Sequence, residues 1–110
     1  MANYGTYDNP RSTRDLIVPA WLNGRTMRGT ALTCDEVAIR SYSLILAFRD
    51  NQGIWLLESA KGISVTTSKH YSGVAGNFAR YGYQPDGEYT IRESGYGSKR
   101  RYIRMAKVGN

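Results

Sequence analysis

The chain has 110 residues, 41% of them hydrophobic and 22% charged, so one globular domain with a single core is expected, and not a multidomain arrangement of these residues. Fifteen Lys and Arg against nine Asp and Glu leave a formal charge of +6. One Cys and one His supply neither an internal disulfide nor the four ligands of a structural zinc site, so no staple, metal or other cofactor is expected.

The longest apolar runs, Leu44 to Phe48 and Ile54 to Leu57, fall far short of the ~20 residues that cross a bilayer, and the N-terminus has no apolar stretch behind a basic start. No membrane partner is expected, and the expected location is the cytoplasm. Residues 1–13 mix Asn, Gly, Tyr, Asp, Pro, Ser and Thr without a period and read as a flexible arm before a single domain over 14–110. Arg14 to Pro19 is a short apolar run closed by proline, and Trp21-Leu22 leads into Asn23-Gly24, a dipeptide suited to a turn between strands. Residues 25–40 are mixed: Thr33 can cap a helical turn through Cys34-Asp35-Glu36, or the stretch can run extended into the next strand.

Ser41 to Arg49 and Ile54 to Glu58 read as a hairpin around the turn cluster Asp50-Asn51-Gln52-Gly53. Alternation sends Tyr42, Leu44, Leu46 and Phe48 to the core. A turn at Ala60-Lys61-Gly62 introduces a short third strand, Ile63 to Val65. From Thr67 the period changes, and Tyr71, Val74, Ala75, Phe78 and Ala79 fall on one helical stripe. Thr66, Thr67 or Ser68 can cap this helix and Gly82 can stop it. Gly73 and Gly76 each weaken it by ~1 kcal/mol relative to Ala, which suggests a close packing partner or a helix of marginal stability.

Gln84-Pro85-Asp86-Gly87 predicts a turn, Glu88 to Arg92 a strand, and Arg100 to Val108 its hairpin partner. The order of strands, one helix and strands predicts an α+β fold: a mostly antiparallel meander of hairpins with the amphipathic helix on one face. The expected core joins Leu44, Leu46, Phe48, Trp55, Leu57, Val65, Val74 and Phe78.

Two segments carry candidate binding chemistry. Residues 94–110 hold Lys99, Arg100, Arg101, Arg104 and Lys107 with no acid, interleaved with Tyr96 and Tyr102. Cations there can neutralise phosphates and a ring such as Tyr102 can stack on bases, although a solvated basic tail has the same composition. The second segment, Ser64 to His70, is the densest polar cluster and opens the helix. Thr67, Ser68, Lys69 and His70 there form a candidate anion site beside free N–H groups, while simple capping by the same hydroxyls is the bland alternative. Catalytic pairings of His70 with Cys34 or a serine lack any framing motif, and no nucleotide fingerprint is present, so no enzyme is expected.

The hairpin followed by Ser64-Val65-Thr66-Thr67-Ser68-Lys69-His70 also resembles a group of small bacteriophage and mobile-element proteins of unknown function. The resemblance runs from Ser41 to Phe78 through Tyr42, Ala47, Arg49, Gly53, Trp55, Ser64, Thr66, Thr67, Ser68, Lys69 and His70, and it implies a phage origin and a compact domain. The expected function is a non-enzymatic phage-type accessory protein that binds nucleic acid mainly through the backbone. The alternative is a phage-encoded inhibitor that docks on a host protein such as a polymerase, nuclease or defence component. Tyr and Arg enrichment suits either surface. The oligomeric state is open, a homodimer included.

Overall fold

A computed structural model describes residues 10–29, 31–58, 64–95 and 99–108. Its elements are α1 (Pro10–Leu22), β1 (Met27–Arg28), β2 (Leu32–Cys34), β3 (Ala38–Ser41), β4 (Leu44–Asp50), β5 (Gly53–Leu57), α2 (Val65–Arg80), β6 (Tyr83–Glu93) and β7 (Lys99–Lys107). The strands form one antiparallel sheet in the order β1-β2-β3-β4-β5-β7-β6. The α+β class is therefore as the sequence implies, with two helices instead of one.

The additional helix corrects the extended reading of 14–19. Ile17, Val18, Ala20 and Trp21 are all buried, and a helix gathers them on the side that meets α2 and strands β1 to β3. Pro19 sits inside α1, where its missing N–H removes one helical bond. The carbonyl of Pro19 accepts from both the backbone N–H and the Nδ2 of Asn23, at 3.2 and 2.7 Å, and Gly24 leaves the helix at φ 74. Asn23-Gly24 is thus a helix exit. α1 begins at Pro10, so residues 10–13 of the expected arm are helical; residues 1–9 lie outside the described residues.

Of residues 25–40, the described ones take the extended alternative, with β1, β2 and the start of β3 in place of a helical turn. The Asp35 carboxylate accepts from the N–H groups of Val37 and Ala38 at 2.8 and 2.9 Å and turns the chain between β2 and β3. The β4–β5 hairpin forms as expected, closed at the Asp50–Gly53 pair. Its core assignment needs one correction: Tyr42 occupies the β3–β4 turn at φ 55 and is 60% exposed, while Leu44 and Leu46 are buried and Phe48 half-buried.

The expected strand at Ile63 to Val65 is replaced by a helix start. Ser64 is the N-cap, its Oγ accepting from the Thr67 N–H at 3.0 Å, and Val65 is the first helical residue, 74% exposed and outside the core. The Ala60-Lys61-Gly62 turn and Ile63 lie outside the described residues. Thr67, Val74, Asn77 and Phe78 form the buried face of α2, with Tyr71 and Ala75 at its margin; Ala79 is exposed, contrary to the expected stripe. Gln84 to Gly87 also differs from expectation, because β6 runs on through it and the pairing with β7 shifts register between Pro85 and Tyr89. The turn residues make a bulge within one long strand.

One core unites the layers. Trp21 meets Phe78 edge-on at 6.0 Å, and Phe78 meets Tyr83 at 5.7 Å. At the other side of the sheet Phe48 stacks with Trp55 at 6.3 Å and meets Tyr102 edge-on at 5.0 Å. The sheet curls enough for the Ile45 N–H to reach the Ser94 carbonyl at 2.8 Å, so the end of β6 returns to the start of β4.

Candidate anion-binding cleft and the basic hairpin

The α1–α2 contact creates a cationic concavity. Arg14 projects from α1 and its aliphatic stem crosses α2 at Gly73, where any Cβ would collide with it. The need for glycine at 73 is thus a close approach, as the sequence suggested, and Asn77 fastens the crossing by donating from Nδ2 to the carbonyls of Gly73 and Arg14 at 2.9 and 3.2 Å. Beside this crossing lies a cleft of about 370 Å³ lined by Arg14, Ser68, Lys69, Ser72 and Gly73. It has two cations, two hydroxyls and no carboxylate in its wall. The α2 sequence contains no acid at all.

Two of the four expected anion-site residues, Ser68 and Lys69, line this cleft. The other two do not, for a physical reason in each case. Thr67 is buried and its N–H is taken by the Ser64 cap. His70 turns toward the sheet, where Nδ1 is hydrogen-bonded to Ser41 Oγ at 2.7 Å and the ring lies 6.5 Å from that of Tyr42. Burial, and then the Arg14 charge, hold the His70 pKa below its ordinary 6.5. Arg14, Ser72 and Gly73 were not singled out by the sequence as site residues; the unexplained glycines were the available signal.

Other cations extend the surface. Arg80 is 11 residues beyond Lys69, close to three full turns, so both stand on one face of α2 about 16 Å apart. Lys107 pairs with Tyr83, and the Val108 N–H donates to the Gly82 carbonyl, which brings the end of β7 to the C-terminus of α2 beside Arg80. Arg14, Lys69, Arg80 and Lys107 make no ion pair among the described residues.

The expected nucleic-acid strand is divided. Lys99 and Lys107 are exposed at its two ends. Arg101 pairs with Glu58 at 3.0 Å and its guanidinium lies 4.0 Å over the Tyr89 ring. Arg104 pairs with Asp86 at 2.6 Å, and the backbone N–H of Glu88 together with that Arg104 bond holds the Asp86 carboxyl below its usual range. Arg100 is half-buried opposite Arg92. Tyr102 is a correction: its side chain is fully buried, with the hydroxyl donating to the Ile45 carbonyl at 2.8 Å, so it presents no face on which a base can stack.

Of the groups considered for catalysis, His70 is half-buried, whereas Ser41 and Cys34 are buried. Ser41, the serine beside His70, is fully buried. Cys34, on β2, is buried and its thiol pKa is pushed up to about 11, chiefly by that burial, so the thiol is protonated at neutral pH. No helix among the described residues is long and apolar enough to cross a membrane.

Comparison with protein-family models, curated proteins and solved structures gave no match to this chain.

Proposed function

We propose that the protein is a non-enzymatic nucleic-acid-binding protein, a phage-type accessory factor acting in the host cytoplasm, which grips the sugar-phosphate backbone. The observation that supports this reading is the α1–α2 cleft, where Arg14, Lys69, Ser68 and Ser72 converge with no acid among them. A phosphate seated there gains two charges and hydroxyl donors, and Arg80 and Lys107 extend the positive surface along α2. The backbone is the target because the cleft offers two cations and two hydroxyls, which suit a phosphate, and no aromatic ring on which a base could stack. The seat of binding moves from the C-terminal strand, where Arg101 and Arg104 are already paired with acids, to the helix side.

Fluorescence anisotropy with labelled strands of unrelated sequence tests this. Binding of comparable strength to all of them, weakened by Lys69→Ala, is expected. Absence of binding at low salt overturns the reading in favour of a protein that docks on another protein.

A further inference from the structure

The outer edge of the sheet is β6, and a short part of it has the pattern of a strand that pairs with itself. β6 is the terminal strand, bonded to β7 on one side, with no described strand laddered along its other side. At one end it is closed by the Ile45–Ser94 bond, and at the other it is interrupted by the bulge between Pro85 and Tyr89. What remains between these limits is the segment Glu88-Tyr89-Thr90-Ile91-Arg92. Tyr89 and Ile91 are 56% and 52% exposed there, unusual for large apolar side chains on a sheet edge.

We propose that this edge binds a second copy of the chain, antiparallel, about a two-fold axis at Thr90, so that the two sheets become one. In that register Tyr89 stands opposite Ile91 of the partner subunit, and Glu88 stands opposite Arg92 of the partner subunit. Each pair occurs twice by symmetry. Moving the axis to Ile91 places Arg92 opposite Thr90 of the partner subunit, and moving it to Tyr89 places Arg92 opposite Asp86 of the partner subunit, inside the bulge. Only the Thr90 axis joins both apolar residues and both opposite charges within regular strand.

Two features of the single chain favour the charge pairing. Arg92 lies directly across from Arg100 in the β6–β7 ladder and holds the Asp50 carboxylate at 3.2 Å with one of its nitrogens, and a guanidinium has five N–H donors, enough for a second carboxylate as well. Glu88 is an exposed acid with no ion pair among the described residues. Of the two apolar residues, Tyr89 continues a row with Ile103 opposite it on β7, while Ile91 stands opposite Arg101, whose guanidinium lies over the Tyr89 ring. This inference rests on the sheet alone and is independent of nucleic-acid binding.

Sedimentation equilibrium of the whole chain, of Glu88→Arg, of Arg92→Glu and of an equal mixture of the two variants tests it. The parent should be a reversible dimer. Each variant alone places like charges opposite one another twice and should dimerise about tenfold or more weakly, since every 1.4 kcal/mol is tenfold and cross-strand charge pairs act at that scale together. The mixture should recover dimer, because each charge then meets its opposite; recovery also shows that both variants are folded. A parent that stays monomeric, variants that dimerise like the parent, or a mixture that gains nothing would overturn the proposal.

Discussion

At the scale of single residues, the buried groups set how stability depends on pH. Burial pushes the Tyr102 phenol up to about 12, whereas an unfolded tyrosine ionises near about 10. The folded chain keeps its proton after the unfolded one has released it, so the stabilisation is whole below about pH 10 and is lost as pH rises toward about 12. Tyr102→Phe removes the bond to Ile45 and should cost ~1 kcal/mol at neutral pH, yet flatten the alkaline loss, as read from urea midpoints across a pH series. His70 behaves oppositely. Its depressed pKa means that an unfolded chain takes up the proton first as pH falls, so stability is whole above the ordinary value of 6.5 and declines below it. His70→Gln should give a melting temperature that is flat in that range where the parent's falls.

At the scale of elements, the two glycines of α2 separate packing from propensity. Gly76 has open space where a Cβ would stand, so Gly76→Ala should stabilise the helix by ~1 kcal/mol in thermal or urea melts. Gly73→Ala drives the Arg14 side chain off the helix and should disturb the cleft, weakening nucleic-acid affinity without a matching gain in stability. Phe78→Ala removes the ring between Trp21 and Tyr83 and should cost ~3–5 kcal/mol, enough to leave the chain largely unfolded by circular dichroism. The elements were legible wherever one signal stood alone. The β4–β5 hairpin follows from alternation around an Asp-Asn-Gln-Gly turn, and α2 from its stripe. α1 was hidden because Pro19 lies within it, and proline normally ends such a run; burial of Ile17, Val18 and Trp21 outweighs the lost bond. Tyr42 was misplaced because alternation says nothing of a turn residue at φ 55. The site was half legible. Ser68 and Lys69 could be placed from the helix start, but Arg14 reaches them only through a contact between elements far apart in sequence, which no local pattern encodes.

At the scale of the whole molecule, the charge of +6 matters less than where its cations are left unpaired. Ion pairing of Arg101 with Glu58 and of Arg104 with Asp86 reduces the strand that looked most basic in sequence, while Arg14, Lys69, Arg80 and Lys107 remain available on the helix side. The central claim is that these four cations hold a nucleic-acid backbone. It is tested most directly by the slope of log affinity against log salt for a duplex, measured for the parent and for the doubly substituted Arg14→Ala/Lys69→Ala chain. Each neutralised phosphate contributes ~0.9, so the parent should give a slope of about −3 to −4, and the double substitution should make it shallower by ~2 for every sequence tried. A double variant that binds with the parent's affinity and slope, or a parent that binds no duplex even at low salt, would contradict the account.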